Sequence, residues 1–233
     1  MKSLARHLKR YPRLYSFLRQ SVYARLRSAR RNDIFVKAYR DNLWGNEISL
    51  SGPGSDLDAT RDIRQHLPSL LQSLEARSML DIPCGDLAWM KQVPLGPVHY
   101  IGADIVAALV DRNRRELEGF GEFLRKDLLV DNLPTADLIF CRDCLVHLSN
   151  REVRLAFTNM KKSSSKYLAT TTFPRISENI DTVTPYWRAI NLEKSPFNLP
   201  PPLQLLRDFS DGQVNDDGKH IGVWRCDDLP SSV

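Results

Sequence analysis

Long apolar runs are absent from this sequence of 233 residues. The longest stretch, Ile105–Val110, has six residues, whereas a helix that spans a bilayer needs ~18 or more. The N-terminus has no apolar core followed by a small-residue cleavage site, so we expect no secretory signal. Cysteine is also scarce, with four in the chain. We therefore expect reduced thiols and a cytoplasmic protein rather than a secreted disulfide scaffold.

The composition excludes a disordered chain. Hydrophobic residues make up 42% of the sequence and charged residues 26%, which is enough apolar material for a sizeable core. The length suits one globular domain with an appendage.

Acidic residues are almost missing from the first 40 positions. Twelve lysines and arginines stand there against one acid, Asp33, so the segment has a formal charge of +11. The whole chain is +5, and residues 41–233 are therefore −6. A nucleic-acid substrate is disfavoured, because a surface that follows phosphates should be basic and this body is mildly acidic.

The same segment has the period of an amphipathic helix. Apolar residues recur every three or four positions, with Pro12 as a break, at Leu4, Leu8, Tyr11, Leu14, Tyr15, Leu18, Val22 and Leu26. We predict a basic amphipathic helical extension over 1–40 and a globular domain over 41–233. Three interpretations of the extension stay open, of which contact with the phosphates of a nucleic acid is the least favoured. It docks on a partner protein or on an anionic membrane, peripheral to its inner face, or it packs its apolar stripe on the body or on a second copy, in a monomer or a homodimer.

Short apolar runs alternate with helical stretches through the rest of the chain. Strands are predicted at Ser78–Ile82, His99–Ala103, Phe123–Lys126, Asp137–Cys141 and Lys166–Thr171. Helices are predicted at 56–76, with Ser55 or Asp56 as N-cap, and near 86–92, 106–118 and 150–162. This alternation is typical of βαβ units and a parallel sheet. The late run Gly218–Cys226 predicts a further strand, antiparallel at an edge.

Glycine is sparse where a phosphate-binding loop would need it. The segment MLDIPCGDLAWM, Met79–Met90, contains one glycine, Gly85. A dinucleotide site uses G-x-G-x-x-G so that the backbone can approach a pyrophosphate closely. Carboxylates at Asp81 and Asp86 would repel a pyrophosphate but tolerate a cation. The loop therefore favours a ligand without phosphates.

Aspartates follow three successive predicted strands, at Asp81, Asp104 and Asp127. In an open α/β sheet the ligand lies at the carboxyl ends of the strands, and an acid after the second strand accepts hydrogen bonds from ribose hydroxyls. Asp104 lies 23 residues beyond Asp81, near the ~20-residue offset of nucleotide-binding folds. The fourth strand is followed by Arg142, Asp143 and His147.

These residues carry a resemblance to a known family. The runs LDIPCGD, YIGADI, RKDL and ADLIFCRDCLVHLS, within Trp44–Thr172, resemble the class I S-adenosylmethionine-dependent methyltransferases, and the flanking segments look like a bacterial subset. The resemblance implies an α/β, Rossmann-like, doubly wound, mostly parallel seven-stranded sheet with helices on both faces. It also implies S-adenosylmethionine as cofactor, S-adenosylhomocysteine as product, and no metal. The family's first loop usually carries two or three glycines, and here Pro83 and Cys84 stand in the other places.

The resemblance assigns roles to residues at the strand ends. Cofactor-binding roles fall on Trp44, Asp81, Pro83, Cys84, Gly85, Asp104, Ile105, Asp127, Leu128 and Arg142. Asp104 would hold the ribose and Asp127 the adenine. Candidate general bases are His147 and Asp143, and candidate acceptor-binding residues are Trp187 and Arg188.

Each assignment has a structural alternative. Cys84 fits a small core residue, Asp143 a helix cap, and His147 a structural histidine. Trp187 and Arg188 either line the acceptor pocket or pack. Cys141-x-x-Cys144 has no second close cysteine pair, so we predict neither zinc nor redox chemistry there.

We predict an enzyme that moves a methyl group to a hydroxyl or amine of a small molecule, a glycan or a lipid-linked acceptor. Two alternatives stay open: a nicotinamide-dependent oxidoreductase, and a non-catalytic S-adenosylmethionine-binding module tethered through its N-terminal helix. The segment 44–55, which includes Gly52 and Gly54, predicts a lid over the site. Residues 173–217 carry no motif that identifies the acceptor.

Overall fold

A computed structural model describes residues 31–43, 51–208 and 218–231. Most of the predicted basic extension, residues 1–30, and the predicted cofactor residue Trp44 lie outside these ranges.

Four α-helices and seven strands make up the described chain. The helices are α1 (Arg31–Arg40), α2 (Arg61–Ser73), α3 (Ala107–Glu116) and α4 (Asn150–Lys162). The strands are β1 (Ser78–Asp81), β2 (His99–Asp104), β3 (Glu122–Arg125), β4 (Leu138–Cys141), β5 (Tyr167–Thr172), β6 (Gln204–Arg207) and β7 (His220–Arg225). Short 3-10 helices lie at Pro53–Ser55, Met90–Gln92, Leu145–His147 and Cys226–Asp228.

The strands form one twisted sheet in the order β3-β2-β1-β4-β5-β7-β6. Strands β1 to β5 pair in parallel, whereas β7 runs antiparallel to both β5 and β6. The prediction of a mostly parallel, seven-stranded sheet is confirmed. The predicted late strand is β7, but it lies inside the sheet rather than at its edge, because β6 pairs along its outer side.

Successive side chains of the central strands point to opposite faces of the sheet, and each face has its own hydrophobic cluster. On one face, α4 packs Val153, Ala156, Phe157 and Met160 against the sheet. On the other face, α2 packs Ile63, Leu67, Leu70 and Leu71, and α3 adds Val110. Helices therefore cover both faces, as predicted, and each fully buried aliphatic or aromatic side chain contributes about 1.5–3 kcal/mol.

Local sequence explains where α4 begins. The Ser149 hydroxyl accepts the Glu152 amide at 3.3 Å, and the Glu152 carboxylate accepts the Ser149 amide at 3.1 Å. This reciprocal pair is a capping box, which satisfies amides that the first helical turn leaves without partners. The cap fixes the N-terminus of α4, which follows the loop after β4.

Two predicted elements differ from the structure. The helix predicted near 86–92 is a series of turns that ends in the 3-10 helix Met90–Gln92. The Asp86 carboxylate accepts the Ala88 amide at 3.2 Å, and Leu87 has a φ of +52°, so the chain turns instead of continuing as a helix. Neither Ser55 nor Asp56 caps α2, since the intervening residues form turns and Thr60 is the N-cap.

Helix α1, the last part of the predicted extension, packs on the body. Ile34 and Ala38 are buried, and Phe35 contacts the cluster under α4. The Arg125 guanidinium donates to the Asn32 side chain at 3.3 Å. Within the described ranges, no helix has both the length and the apolarity needed to cross a bilayer.

The packing of α4 generates a stability prediction. Phe157 is fully buried and meets Phe197 edge-on at a centroid distance of 6.2 Å. We expect Phe157→Ala to lower the free energy of unfolding by about 3–5 kcal/mol, because it removes apolar contacts and leaves a cavity. Urea denaturation followed by circular dichroism measures the loss. The control Lys162→Ala, at an exposed position of the same helix, should change it by at most about 0.5 kcal/mol.

Candidate functional site

A cavity opens at the carboxyl ends of the parallel strands. The chain leaves β1 toward β2 on one side, and β4 lies on the other side of β1, so the strand order reverses at this point. The connections on either side diverge there and leave a crevice. Eleven of the predicted site residues line this one cavity: Asp81, Pro83, Cys84, Gly85, Asp104, Ile105, Asp127, Leu128, Arg142, Asp143 and His147.

The loop after β1 is held by contacts from three directions. The Gly85 amide donates to Asp104 at 3.1 Å, and the Asn113 side chain donates to the Gly85 carbonyl at 2.8 Å. Gly85 has a φ of +58°, and a Cβ added to it would lie 2.3 Å from the Ser51 hydroxyl. The single glycine is therefore required both by the turn and by the close approach of Ser51.

Asp104 and Asp127 sit in similar turns after β2 and β3. Asp104 accepts the Val106 amide at 2.9 Å, and Asp127 accepts the Leu129 amide at 2.9 Å. These local hydrogen bonds fix each carboxylate at the cavity wall. Each carboxylate oxygen has a second lone pair, so the turns leave acceptor capacity for a ligand.

Two of the cavity carboxyls, Asp81 and Asp104, are buried, and no cation from residues 31–43, 51–208 or 218–231 lies within salt-bridge distance of them. Burial raises the pKa of Asp81 to about 7, although the Tyr100 hydroxyl donates to it at 2.6 Å and opposes the shift. Burial likewise raises the pKa of Asp104 to about 6, opposed by amides such as those of Val106 and Gly85. A cation bound near them would stabilise their ionised forms. This part of the cavity is therefore suited to a positively charged ligand.

Burial also raises the pKa of the Cys84 thiol well above its usual value. Cys84 is consequently a thiol and not a thiolate, and its sulfur lies 3.8 Å from the Asn113 side chain. This environment supports contact through packing and backbone rather than nucleophilic chemistry.

A four-membered ion cluster supports one wall of the cavity, to whose lining it contributes Arg142 and Asp143. The Arg142 guanidinium donates to both carboxylate oxygens of Asp208, at 2.9 and 3.1 Å. It also lies 3.2 Å from Asp143. The Lys219 ammonium lies 2.6 Å from Asp143 and 3.1 Å from Asp208. Two cations thus face two anions, and we call this group the Arg142 cluster.

A short strap joins the two walls. The Ser51–Ser55 strap (SGPGS) contributes Ser51 and Ser55 to the cavity lining. Its Gly54 carbonyl accepts Arg142 at 2.8 Å, and the Ser51 hydroxyl accepts the Asp86 amide at 3.3 Å. A Cβ added to Gly54 would lie 3.0 Å from Asp143, so the strap lies tightly against the cluster.

The environment of Asp143 makes it a poor proton acceptor. Burial alone would raise its pKa, but attraction by Lys219 and Arg142 outweighs burial and holds the pKa below its ordinary range. Its backbone has a φ of +53°, and its amide donates to the Thr171 hydroxyl at 2.8 Å. Asp143 therefore stays ionised at neutral pH and has a fixed position.

His147 has a defined tautomer. Its Nδ1 lies 3.0 Å from the Pro185 carbonyl, which can only accept, so Nδ1 carries a proton. Burial lowers the pKa of His147 below 6.5, against the opposing effects of the Pro185 carbonyl and Asp143. The ring is therefore neutral at physiological pH, with its basic lone pair on Nε2.

The two predicted acceptor residues lie outside the lining of this cavity. Trp187 is half exposed and packs edge-on against Phe173 at 5.8 Å. The buried Arg188 donates to the Leu145 carbonyl and to the Asn150 side chain, each at 3.0 Å. Arg188 thereby braces the loop that carries His147. Trp44 lies outside the described residues.

Several lining residues were not predicted from the sequence. Phe35 and Tyr39 reach the cavity from α1, and Trp89 and Lys126 line it as well. Phe35 and Tyr39 are spaced i, i+4, which indicates that they share one face of a helix. The sequence prediction, however, includes this helix in the basic extension over 1–40. Lys219 and Asp208 were also missed, since nothing in their local sequence marks them as partners of Arg142. In the described part of the chain, no group of three His, Cys, Asp or Glu side chains is placed to hold a metal.

Comparison with known proteins identifies the fold. No family model and no curated protein matches the sequence. Among solved structures, the 1,6-didemethyltoxoflavin-N1-methyltransferase from Burkholderia thailandensis matches with a TM-score of 0.58 and 14% identity, over 88% of this chain and 89% of that one. The N-methyltransferase NodS from Bradyrhizobium japonicum, in complex with S-adenosylhomocysteine, matches with a TM-score of 0.56 and 17% identity, over 81% of this chain and 98% of that one.

A protein from Pyrococcus horikoshii is matched over 61% of its length, with a TM-score of 0.45 and 16% identity, so this chain spans less than two thirds of that protein. The full-length matches show that the chain has the fold of the class I S-adenosylmethionine-dependent methyltransferases. The fold predicted from the strand-end motifs is confirmed.

The raised pKa values of the buried carboxyls generate a pH prediction. Burial raises the pKa of Asp81 to about 7 and that of Asp104 to about 6, so both hold their protons more tightly in the folded chain than an aspartate with its ordinary pKa of 3.8. Their contribution to stability is therefore present below pH ~4 and is lost as the pH rises toward 7, at ~1.4 kcal/mol per unit of pKa difference. We expect the ligand-free protein to lose unfolding free energy between about pH 4 and 7 relative to Asp81→Asn, which cannot ionise. Urea titrations at several pH values measure this, and parallel profiles for the two proteins would contradict it.

Proposed function

We propose that the protein is an S-adenosylmethionine-dependent methyltransferase that acts on a hydroxyl or amine of a small-molecule acceptor. The observation that carries the proposal is the convergence of Asp81, Asp104 and Asp127 from three successive strand ends in one cavity, beside a loop with no phosphate cradle. The cofactor supplies a methyl group already activated by a positively charged sulfur. The protein has to position the acceptor and exclude water.

The residues present fit this cofactor. Buried carboxyls at Asp81 and Asp104 favour a ligand that carries sulfonium and ammonium charges. We assign the loop Asp81–Asp86 to the methionine moiety, Asp104 with Ile105 to the ribose, and Asp127 with Leu128 to the adenine. The same carboxylates would repel the pyrophosphate of a nicotinamide dinucleotide, which disfavours the oxidoreductase alternative.

The wall that contains the Arg142 cluster is assigned to the acceptor. Neutral His147 has the basicity and the tautomer to take a proton from a hydroxyl or an ammonium group. Asp143 stays ionised, so we assign it an orienting role and not that of the base. Fixing the acceptor in line for transfer lowers the barrier by about 7–11 kcal/mol, and a general base adds a smaller factor of ~10²–10⁴.

A nitrogen acceptor is favoured over oxygen. The two full-length structural matches are named as N-methyltransferases, one of them acting on 1,6-didemethyltoxoflavin. Phe35, Tyr39 and Trp89 provide aromatic surface against which an acceptor ring can pack. Because Phe35 and Tyr39 line the cavity, we propose that helix α1 acts with the catalytic domain rather than with the basic extension.

Cofactor binding is tested by calorimetry. We expect S-adenosylmethionine and S-adenosylhomocysteine to bind and NAD not to bind. Asp104→Ala should weaken binding by about 10- to 100-fold, because it removes hydrogen bonds between a charged group and the ligand. The matched control Asp111→Ala, an exposed acid on α3, should leave affinity unchanged. Binding of NAD and not of S-adenosylmethionine would reject the proposal.

The role of His147 is tested by separating binding from turnover. In His147→Ala we expect unchanged cofactor affinity and a methyl-transfer rate lower by ~10²–10⁴. The wild-type rate should fall as the pH drops through the His147 pKa, because protonation removes the base. Labelled cofactor with a panel of amino sugars and heteroaromatic amines provides the assay. A His147→Ala rate equal to that of the wild type would assign the residue a structural role.

A further inference from the structure

We infer that residues 1–30, together with an apolar rim around the cavity mouth, dock on an anionic lipid bilayer, so that the cavity takes its acceptor from the membrane surface. The statement about the acceptor rests on the proposed methyltransferase function, whereas the docking itself does not. We define the apolar rim as Leu43, Leu57, Ile180 and Trp187.

The rim residues are large, apolar and exposed. Leu43 is 56% exposed, Leu57 39%, Ile180 74% and Trp187 52%. Single exposed apolar residues are ordinary, but a group at one end of a molecule indicates an interaction surface.

Contacts place each rim residue beside a segment that lines the cavity. Leu43 donates its amide to Ala38 of α1, the helix that carries Phe35 and Tyr39. Leu57 lies two residues after the Ser51–Ser55 strap. Its carbonyl accepts a hydrogen bond from the Arg64 guanidinium, in the first turn of α2.

The other two rim residues lie beside His147. Ile180 precedes Asp181, which accepts the first amide of α4 at 2.8 Å. Trp187 follows two residues after Pro185, whose carbonyl holds His147. Each rim residue therefore lies next to a segment that lines the cavity or holds a lining residue.

The charge of residues 1–30 indicates which kind of surface the cavity end of the molecule binds. Residues 1–30 contain nine lysines and arginines and no acid, and they join directly to α1 at the cavity wall. Aromatic residues are interleaved among them, at Tyr11, Tyr15, Phe17 and Tyr23. Basic residues with interleaved apolar and aromatic groups are what an anionic bilayer attracts, through its surface charge and its apolar interior. A duplex nucleic acid offers only the charge, and no apolar phase to receive Ile180 and Trp187.

Vesicle binding by the full chain tests the docking. We expect the protein to co-sediment with vesicles of phosphatidylcholine containing about 30 mol% phosphatidylglycerol and not with pure phosphatidylcholine. Raising the salt from about 0.05 to 0.5 M should weaken binding at least about ten-fold, because the charges become screened. Replacing Arg25, Arg27 and Arg30 with glutamine should weaken it to a similar extent.

A matched pair of variants tests which end of the molecule faces the bilayer. Ile180→Glu with Trp187→Glu should lower vesicle binding about ten-fold, since two inserted apolar groups become charged. The control is Leu203→Glu with Leu205→Glu. These residues are similarly exposed, at 51% and 44%, but lie on or next to the edge strand β6. The control should bind as the wild type does, and equal losses in the two variants would overturn the proposed orientation.

The remaining outcomes are also decisive. Absence of binding to anionic vesicles would reject the docking, as would tighter binding to a short DNA duplex than to the vesicles. Calorimetry with S-adenosylmethionine on the same preparations separates the two proposals. Vesicle binding without cofactor binding would reject the methyltransferase and keep the docking, and the reverse result would do the opposite.

Discussion

The salt bridge between Arg142 and Asp208 is the contact on which the shape of the cavity depends. It joins the end of β4 to the end of β6, and the same guanidinium holds the Ser51–Ser55 strap through Gly54. Both charges are buried, so either one left alone would cost about 3–5 kcal/mol, which is a large part of the stability of a domain. Lys219 balances the charge by pairing with both aspartates. The neutral cluster thereby fixes Asp143, and through its neighbouring turn the place of His147.

The aspartates on the two walls of the cavity have pKa values shifted in opposite directions. Asp81 and Asp104 are buried carboxyls whose proton affinity is raised, and a cationic ligand would release those protons. Asp143, which is partly buried, is kept ionised by two cations. Burial acts in the same direction on all three aspartates, and the position of basic partners decides the result. Under the proposed function, cofactor binding and acceptor orientation are thus assigned to carboxyl groups whose pKa values are shifted in opposite directions.

The sequence predicted the parallel part of the fold and the strand-end aspartates, because both leave local signals. Short apolar runs mark β1 to β5, Asp81 and Asp104 are the last residues of β1 and β2, and Asp127 follows the end of β3 by two residues. Apolar spacing does not predict the turn at Leu87, since the Asp86 carboxylate accepts the Ala88 amide and this hydrogen bond competes with helix formation. Phe35 and Tyr39 were assigned to an extension, because only tertiary packing shows that α1 closes the cavity. Asp208 and Lys219 reach the site from strands of opposite direction, and no spacing in the sequence encodes that meeting.

The sequence separation of the Arg142 cluster has a consequence for how the site forms. Arg142 pairs with a residue 66 positions later, Asp143 with one 76 positions later, and the strap contact spans 88 positions. Closing such long loops is slow compared with forming local turns and helices. During synthesis, the parallel strands and their aspartates emerge before Asp208 and Lys219 do. The wall that holds His147 is therefore completed last, and the chain has no finished cavity until β7 joins the sheet.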